Sequence, residues 1–371
     1  MTRLSTYLQD PLLRGMYDAI REVGPIRSIA LDITSKCNLR CSGCYYYVEG
    51  MDKVHISHDD CAFDELLQQE QERGTNFITV VGGEPALVPG RLKKIYQTFK
   101  MNVATNGLIK IPYEGLEQMP LGIAIWGDHE TDAKLRGHSN GNGKQDYFTT
   151  ALENYRDDPR AFWYYTVAPG YSHEIESVVE QCIENGNRVL INYYSDVAKL
   201  GGRLDYRQGF GAVQKEIDRM IGLYPGKLYT TCYFNEVVTS GRLYDEAWGY
   251  DVCTNLSANN EANQERLKNG KPFNKHFRAY NADFKTTRRC CTGINRDCGS
   301  CFDTWEHFSW IMINMRKHLG SRAEFANWLS TMFVFYLVNR LVDFEQGIKC
   351  LPEIQSLWLG PDEPLFAVAG K

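Results

Sequence analysis

The sequence predicts an α/β fold: a partial, TIM-like (β/α)6 barrel followed by a C-terminal β-hairpin/helical extension. Three observations predict it. Six short runs rich in β-branched and aromatic residues alternate with helical patterns up to about residue 224. Continuous apolarity marks strands covered on both faces, and strand–helix alternation implies parallel pairing through right-handed crossovers. After Tyr224-Pro225-Gly226 the texture changes to alternating and then polar sequence. Finally, 371 residues leave room for an extension beyond the barrel, at about 150 residues per domain.

The elements follow in order. Residues 1–27 form an N-terminal helical extension, and the barrel spans 28–224. Its strands are Ser28–Ile33, Phe77–Val81, Asn102–Ala104, Ile123–Trp126, Phe162–Val167 and Val189–Tyr194. Between them lie helical patterns at Asp59–Arg73, Arg91–Phe99, Tyr147–Tyr155 and His173–Asn185, and Gly211–Leu223 follows the last strand. Asp59 and Ser172 are expected N-caps, and Gly74 and Gly186 expected C-terminal stops. Leu228–Asp251 alternates apolar and polar residues about Thr239-Ser240-Gly241, which predicts a β-hairpin within the region 225–302. Residues 254–289 read as polar loop with short helix, and 303–371 as a helical segment whose stretch Phe325–Leu341 packs on the barrel. In such barrels the functional groups sit on loops after the C-terminal ends of strands.

A net charge of −5 gives no general attraction to nucleic acid or anionic lipid. The longest apolar stretch, Trp328 to Val342, is broken by Ser330, Asn339 and Arg340, so no membrane span is expected. The first residues carry Arg3 and Asp10 and lack the apolar middle of a signal peptide. A cytoplasmic, reducing location is therefore expected, where clustered cysteines are metal ligands rather than disulfides. Of the 12 cysteines, Cys61, Cys182 and Cys350 stand alone and read as small hydrophobes. Cys37, Cys41 and Cys44 form Cys-x3-Cys-x2-Cys directly after the first strand, and six more lie between 232 and 301. Three thiolates leave tetrahedral zinc one ligand short, whereas they hold three irons of a [4Fe–4S] cluster and leave the fourth open.

This arrangement resembles the radical S-adenosylmethionine (SAM) superfamily over roughly residues 26–224. Gly82-Gly83-Glu84-Pro85 after the second strand resembles that family's Gly-Gly-Glu motif. Thr105-Asn106-Gly107 after the third strand, Asp128…Arg136-Gly137 after the fourth and Asn192 at the end of the sixth match further family positions. The family's aromatic before the third cysteine is replaced by Gly43, with Tyr45, Tyr46 or Tyr47 as stand-ins, Tyr45 foremost. The resemblance implies an enzyme in which the cluster and SAM yield a 5′-deoxyadenosyl radical that takes hydrogen from a C–H bond. It implies an electron donor such as flavodoxin or ferredoxin. Gly82, Gly83, Glu84, Thr105, Asn106, Arg136, Asn192 and Tyr45 become the SAM-site candidates.

Cys232, Cys253, Cys298 and Cys301, with Cys291 as a substitute, resemble the twitch extension, the short form of the SPASM domain, which implies an auxiliary [4Fe–4S] cluster. A zinc site on Cys298 and Cys301 is the alternative. Asp128, His129 and His307 are candidate acid–base residues; for Asp303, Glu306 and His307 the competing reading is an ordinary helix face. The expected substrate is a small polar molecule of sugar, cyclitol or nucleoside type, undergoing net oxidation. Peptide modification, adenosyl or carbon coupling, and an iron–sulfur or zinc protein without turnover are the alternatives.

Overall fold

The computed structural model describes residues 3–54, 60–136, 146–195, 206–240, 255–268, 274–294 and 301–357. Helices α1 (Arg3–Tyr7) and α2 (Pro11–Val23) lead into β1 (Ser28–Asp32). There follow α3 (Tyr45–Val48), α4 (Asp60–Glu72), β2 (Phe77–Val81), α5 (Pro89–Thr98), β3 (Lys100–Thr105) and β4 (Leu121–Ile125). Next come α6 (His129–Arg136), α7 (Tyr147–Asn154), β5 (Ala161–Val167), α8 (Ile175–Glu184), β6 (Arg188–Tyr193) and α9 (Tyr206–Leu223). The chain continues through α10 (Cys232–Ser240), α11 (Gln264–Lys268), β7 (Ala279–Tyr280), β8 (Thr287–Arg288), α12 (Thr304–Ile313), α13 (Arg322–Val338) and α14 (Phe344–Gln355).

One sheet carries every strand among the described residues, in the order β6-β5-β4-β3-β2-β1-β7-β8. The first six strands are parallel throughout, each beside its sequence neighbour, the arrangement expected of a half-barrel. Among the described residues no pairing joins β6 to β8, so the barrel stays open. Register aligns Ala30 with Thr79 and Thr79 with Asn102, and Ala104 with Gly122 and Gly122 with Phe162. Period-two alternation then turns one set of residues inward along every strand.

The expected strands and most helices stand within a few residues of their sequence-derived limits. Gly74 and Gly186 end their helices at positive φ, 83° and 86°, as expected of C-terminal stops. Ser172 opens a single 3-10 turn leading into α8 and caps nothing with its side chain. Helix α9 begins at Tyr206, ahead of the expected Gly211. Asp59 lies outside the described residues.

The hairpin expected at Leu228–Asp251 is not found where the chain is described, because Cys232–Ser240 is helix α10. Tyr233, Phe234, Val237 and Val238 recur at helical spacing and are all buried, so the apparent alternation was too short to specify a strand. The rest of that segment, 241–251, is outside the described residues. The antiparallel pair of the extension is β7–β8 instead, within the stretch expected to be loop. Its turn is built by Asp283, whose Oδ1 accepts from the backbone N–H of Lys285 and Thr286.

The extension is fastened to the barrel at β1 and α4. Strand β7 pairs parallel with β1. Buried Glu70 of α4 accepts from Arg73, from the Thr75 hydroxyl and, at 2.7 Å, from the Tyr280 hydroxyl. Helix α13, expected to pack inward, is buried on nearly all sides. Just past its end Asn339 Oδ1 accepts from Asn102 Nδ2 of β3 at 2.7 Å.

Candidate active site

The loop carrying Cys37, Cys41 and Cys44 leaves the C-terminal end of β1 and is pinned by the loop after β2. Gly83 N–H donates to Thr34 O and Glu84 N–H to Lys36 O, both at 2.8 Å. A Cβ on Gly83 would lie 2.0 Å from Lys36 O, and one on Gly82, where φ is 122°, 2.5 Å from Thr34 O. The glycine pair is thus required for the two loops to dock.

Glu84 is the knot of the site. Its buried carboxylate accepts from Ala86 N–H (2.9 Å), the Thr105 hydroxyl (2.6 Å) and Asn106 N–H (2.8 Å). These bonds tie the β2 loop to the end of β3; burial raises its pKa against them. Asn106 Nδ2 donates to Asn38 Oδ1 at 2.7 Å and stands 3.9 Å from Cys37 Sγ. Arg136, fully buried, donates to Ala124 O and Asn106 O, each at 2.6 Å, and pairs with Asp132 at 3.2 Å. Its charge also acts on Cys41.

Cys37, Cys41 and Cys44 border one cavity of about 300 Å³ together with Gly82, Gly83, Glu84, Thr105, Asn106, Arg136, Asn192 and Tyr45. Every SAM-site and primary-cluster residue expected from sequence therefore converges. Burial raises all three thiol pKa values, that of Cys41 to about 12. Cys37 and Cys44 add mutual repulsion at Cys41 and Arg136 opposes it. Buried thiols beside a guanidinium become thiolates once a metal supplies the compensating charge. Among the described residues no three His, Cys, Asp or Glu side chains gather tightly enough for a single ion. Three thiols on one loop with a guanidinium beside Cys41 fit the three cysteine ligands of a [4Fe–4S] cluster.

Of the expected acid–base residues, Asp303 borders this cavity, whereas Asp128, His129 and His307 do not. Asp128 caps α6, accepting from Glu130 and Thr131 N–H at 3.0 Å. His129 faces outward, 2.8 Å from Asp146. His307 is buried against Phe302, its Nδ1 2.7 Å from Asp303 O, and burial pushes its pKa down to about 4. Asp303 caps α12.

Of the auxiliary cysteines, Cys253 and Cys298 lie outside the described residues. Cys232 starts α10 beside Asp218, its thiol pushed up to about 12 by burial. Cys291 borders the cavity, whereas the Cys290 sulfur lies against Thr292 and Gly293. Cys301 is buried. Sequence reasoning missed the cavity walls: Trp126, Tyr164, Thr166, Asn255, Trp305 and Ser309. Tyr164 and Trp305 stack at 6.2 Å and 11°. Inward alternation along β4 and β5 was the available signal for Trp126, Tyr164 and Thr166.

The half-barrel of parallel strands carries three thiols on its first loop and a Gly-Gly-Glu knot on its second. No family model matches the chain. It is 27% identical over 190 residues to GTP 3′,8-cyclase of Staphylococcus saprophyticus, covering 46% of this chain and 52% of that protein. It is 34% identical over 97 residues to the probable GTP 3′,8-cyclase of Methanococcus maripaludis, covering 24% and 31%. The chain thus spans about half or less of the length of these curated relatives. Among solved structures, AdoMet-bound anSMEcpe aligns at TM-score 0.48 and 16% identity over 81% of this chain and 84% of that one. SuiB of Streptococcus suis bound to S-adenosylmethionine aligns at TM-score 0.41 and 16% identity, over 57% and 48%. Both are too remote to carry an argument about chemistry. Over the part they share, the chain is similar to the GTP 3′,8-cyclases, which are radical SAM enzymes.

Proposed function

We propose that this chain reductively cleaves SAM and abstracts hydrogen from a small polar molecule. One observation carries the reading: Cys37, Cys41 and Cys44 share a single cavity with all eight residues expected to hold SAM. When bound, the [4Fe–4S] cluster and SAM supply a 5′-deoxyadenosyl radical after one electron from a donor such as flavodoxin or ferredoxin. The residues of the chain hold and shield. Glu84 fixes the mutual position of the β2 and β3 loops, Arg136 places positive charge beside Cys41, and the β5 and α12 aromatics exclude water.

Of the sugar, cyclitol and nucleoside substrates considered, the aromatic wall favours the nucleoside type, as does the likeness to the GTP 3′,8-cyclases. Net two-electron oxidation through an auxiliary cluster rests on Cys232, Cys253, Cys291, Cys298 and Cys301; the substrate would yield one hydrogen atom, then one proton and one electron. A cytoplasmic setting suits the reduced thiols, and among the described residues no helix is long and apolar enough to cross a membrane.

The test is anaerobic reconstitution, iron count and 5′-deoxyadenosine release with dithionite and SAM. About eight irons are expected with both clusters and about four with one. Cys37→Ala, Cys41→Ala and Cys44→Ala should each abolish release while leaving the far-ultraviolet spectrum unchanged. A triplet variant that cleaves SAM at the wild-type rate refutes the assignment.

A further inference from the structure

A closed (β/α)8 barrel fills its interior with layers of bulky branched side chains. This half-barrel does not. Inward positions on β1 to β4 that border the cavity are Ser28, Ala30, Phe77, Thr79, Val81, Asn102, Ala104, Gly122 and Ala124, most of them small or polar. Exposure follows the same alternation. Ala104 is exposed between buried Val103 and Thr105 at the centre of the sheet, and Thr79, Ala124, Tyr164 and Asn192 are half-exposed among buried neighbours. The cavity therefore runs down the lumen, from the cysteine loop to the strand N-termini at Ser28, Phe77 and Phe162. A five-residue strand such as β1 corresponds to about 16 Å of depth.

The two ends differ chemically. The charged side chains that border the cavity, Glu84, Arg136 and Asp303, are already engaged by protein partners. The lower half is walled by Phe77, Phe162 and Phe335 with Leu341, and contains no charged side chain among the described residues. Its distinctive polar group is Asn102, 6% exposed. Asn102 Nδ2 is spent on Asn339, whereas its Oδ1 takes no hydrogen bond from any described residue. An amide oxygen on a residue that lines the cavity can accept from a bound donor.

We propose that the lower lumen is a binding compartment for an uncharged planar ring bearing a hydrogen-bond donor, with Asn102 Oδ1 as the acceptor. This rests on the function proposed above, since SAM and the cluster occupy the upper end. The aromatic walls stack on or edge against the ring, the geometry aromatic groups prefer. The small residues at Ala30, Ala104 and Gly122 supply its space.

The test uses the full-length, cluster-loaded chain with SAM, kept anaerobic and without reductant, and titrates indole, 1-methylindole and myo-inositol. Indole is expected to bind. 1-Methylindole, lacking the donor, should bind about fivefold more weakly, the value of one hydrogen bond, and myo-inositol should not compete. Ala104→Leu and Thr79→Leu each fill the lumen from a different strand and should weaken indole at least tenfold with unchanged or higher Tm. Equal binding of indole to wild type and both filled variants, no binding to wild type, or preference for myo-inositol overturns the proposal. Because binding is read without turnover, a chain that cleaves SAM yet ignores indole sinks only this inference. A chain that binds indole but never cleaves SAM sinks the function instead.

Discussion

Gly83→Ala is the most discriminating perturbation of the site. Its Cβ would fall 2.0 Å from Lys36 O, 2.5 Å from Lys36 C and 3.0 Å from Ser35 C. All three atoms are backbone, so no flexible side chain can give way, and the cysteine loop must move off the β2 loop. That separation breaks the bonds from Gly83 N–H to Thr34 O and Glu84 N–H to Lys36 O. Overpacking costs about 1–3 kcal/mol and each lost bond about 1 kcal/mol, so ~3–5 kcal/mol is expected. Spread over the unfolding entropy of 371 residues, that is a Tm fall of about 4–6 °C. SAM affinity and iron content should fall with it, because the displaced loop carries Cys37. Gly15→Ala is the control: nothing lies within 4 Å of its Cβ, in the interior of α2. It should stabilise by about 0.5–1 kcal/mol. The pair is measured by calorimetry and by iron and SAM titration. Wild-type Tm and SAM affinity in Gly83→Ala would show that the glycine does not serve loop docking.

Three further outcomes are expected. Removing the Arg136 guanidinium in Arg136→Ala strands Asp132 in the interior and should cost about 3–5 kcal/mol, with part of it recovered in the double variant with Asp132→Asn; urea midpoints check this. His307, pushed from 6.5 to about 4, resists a proton that the unfolded chain accepts, so stability present at pH 7 is lost as pH falls from 6.5 through 4. The loss is about 2.5 kcal/mol at pH 4.5, and His307→Gln should remove it, seen by comparing urea midpoints at pH 7 and 4.5. Tyr280→Phe deletes the hydroxyl that donates to the Glu70 carboxylate and should cost about 1.5–3 kcal/mol in denaturant titration.

The barrel was legible because its strands are covered on both faces, and a continuous apolar run such as Phe77–Val81 has few other readings. The residues expected to hold SAM come together at one cavity because they follow strand ends in a fixed order. What failed is instructive. Leu228–Asp251 looked alternating, yet α10 is buried nearly all round, so neither period stands out and tertiary contacts decide. Strands β7 and β8 span two residues each, too few to show any period. Asp128, His129 and His307 were chosen by residue type and loop position. The turn of α6 sends His129 outward to Asp146, and burial holds His307 away from the cavity. The lumen was hidden for a different reason: Ala104, Gly122 and Ala124 are unremarkable singly and become a compartment only when register places them side by side.

A costly ion pair sits at the end of β1. Asp32 and Arg288 pair at 2.9 Å, both essentially unexposed, and burial lifts the Asp32 pKa to about 6 despite the guanidinium beside it. Two buried charges seldom stabilise more than an apolar pair of the same volume. The gain here is geometric. Arg288 donates to Tyr280 O at 2.6 Å and, through Nε and Nη2, to Cys291 O at 3.3 and 3.0 Å. One guanidinium thus joins the end of β1, strand β7 and the residue after β8 that borders the cavity. The β1 end is also where the loop of Cys37, Cys41 and Cys44 begins. Through Asp32 the extension and the cysteine loop share one anchor, so the distance between Cys291 and the site above the barrel is held by a planar, five-donor group with little freedom to drift.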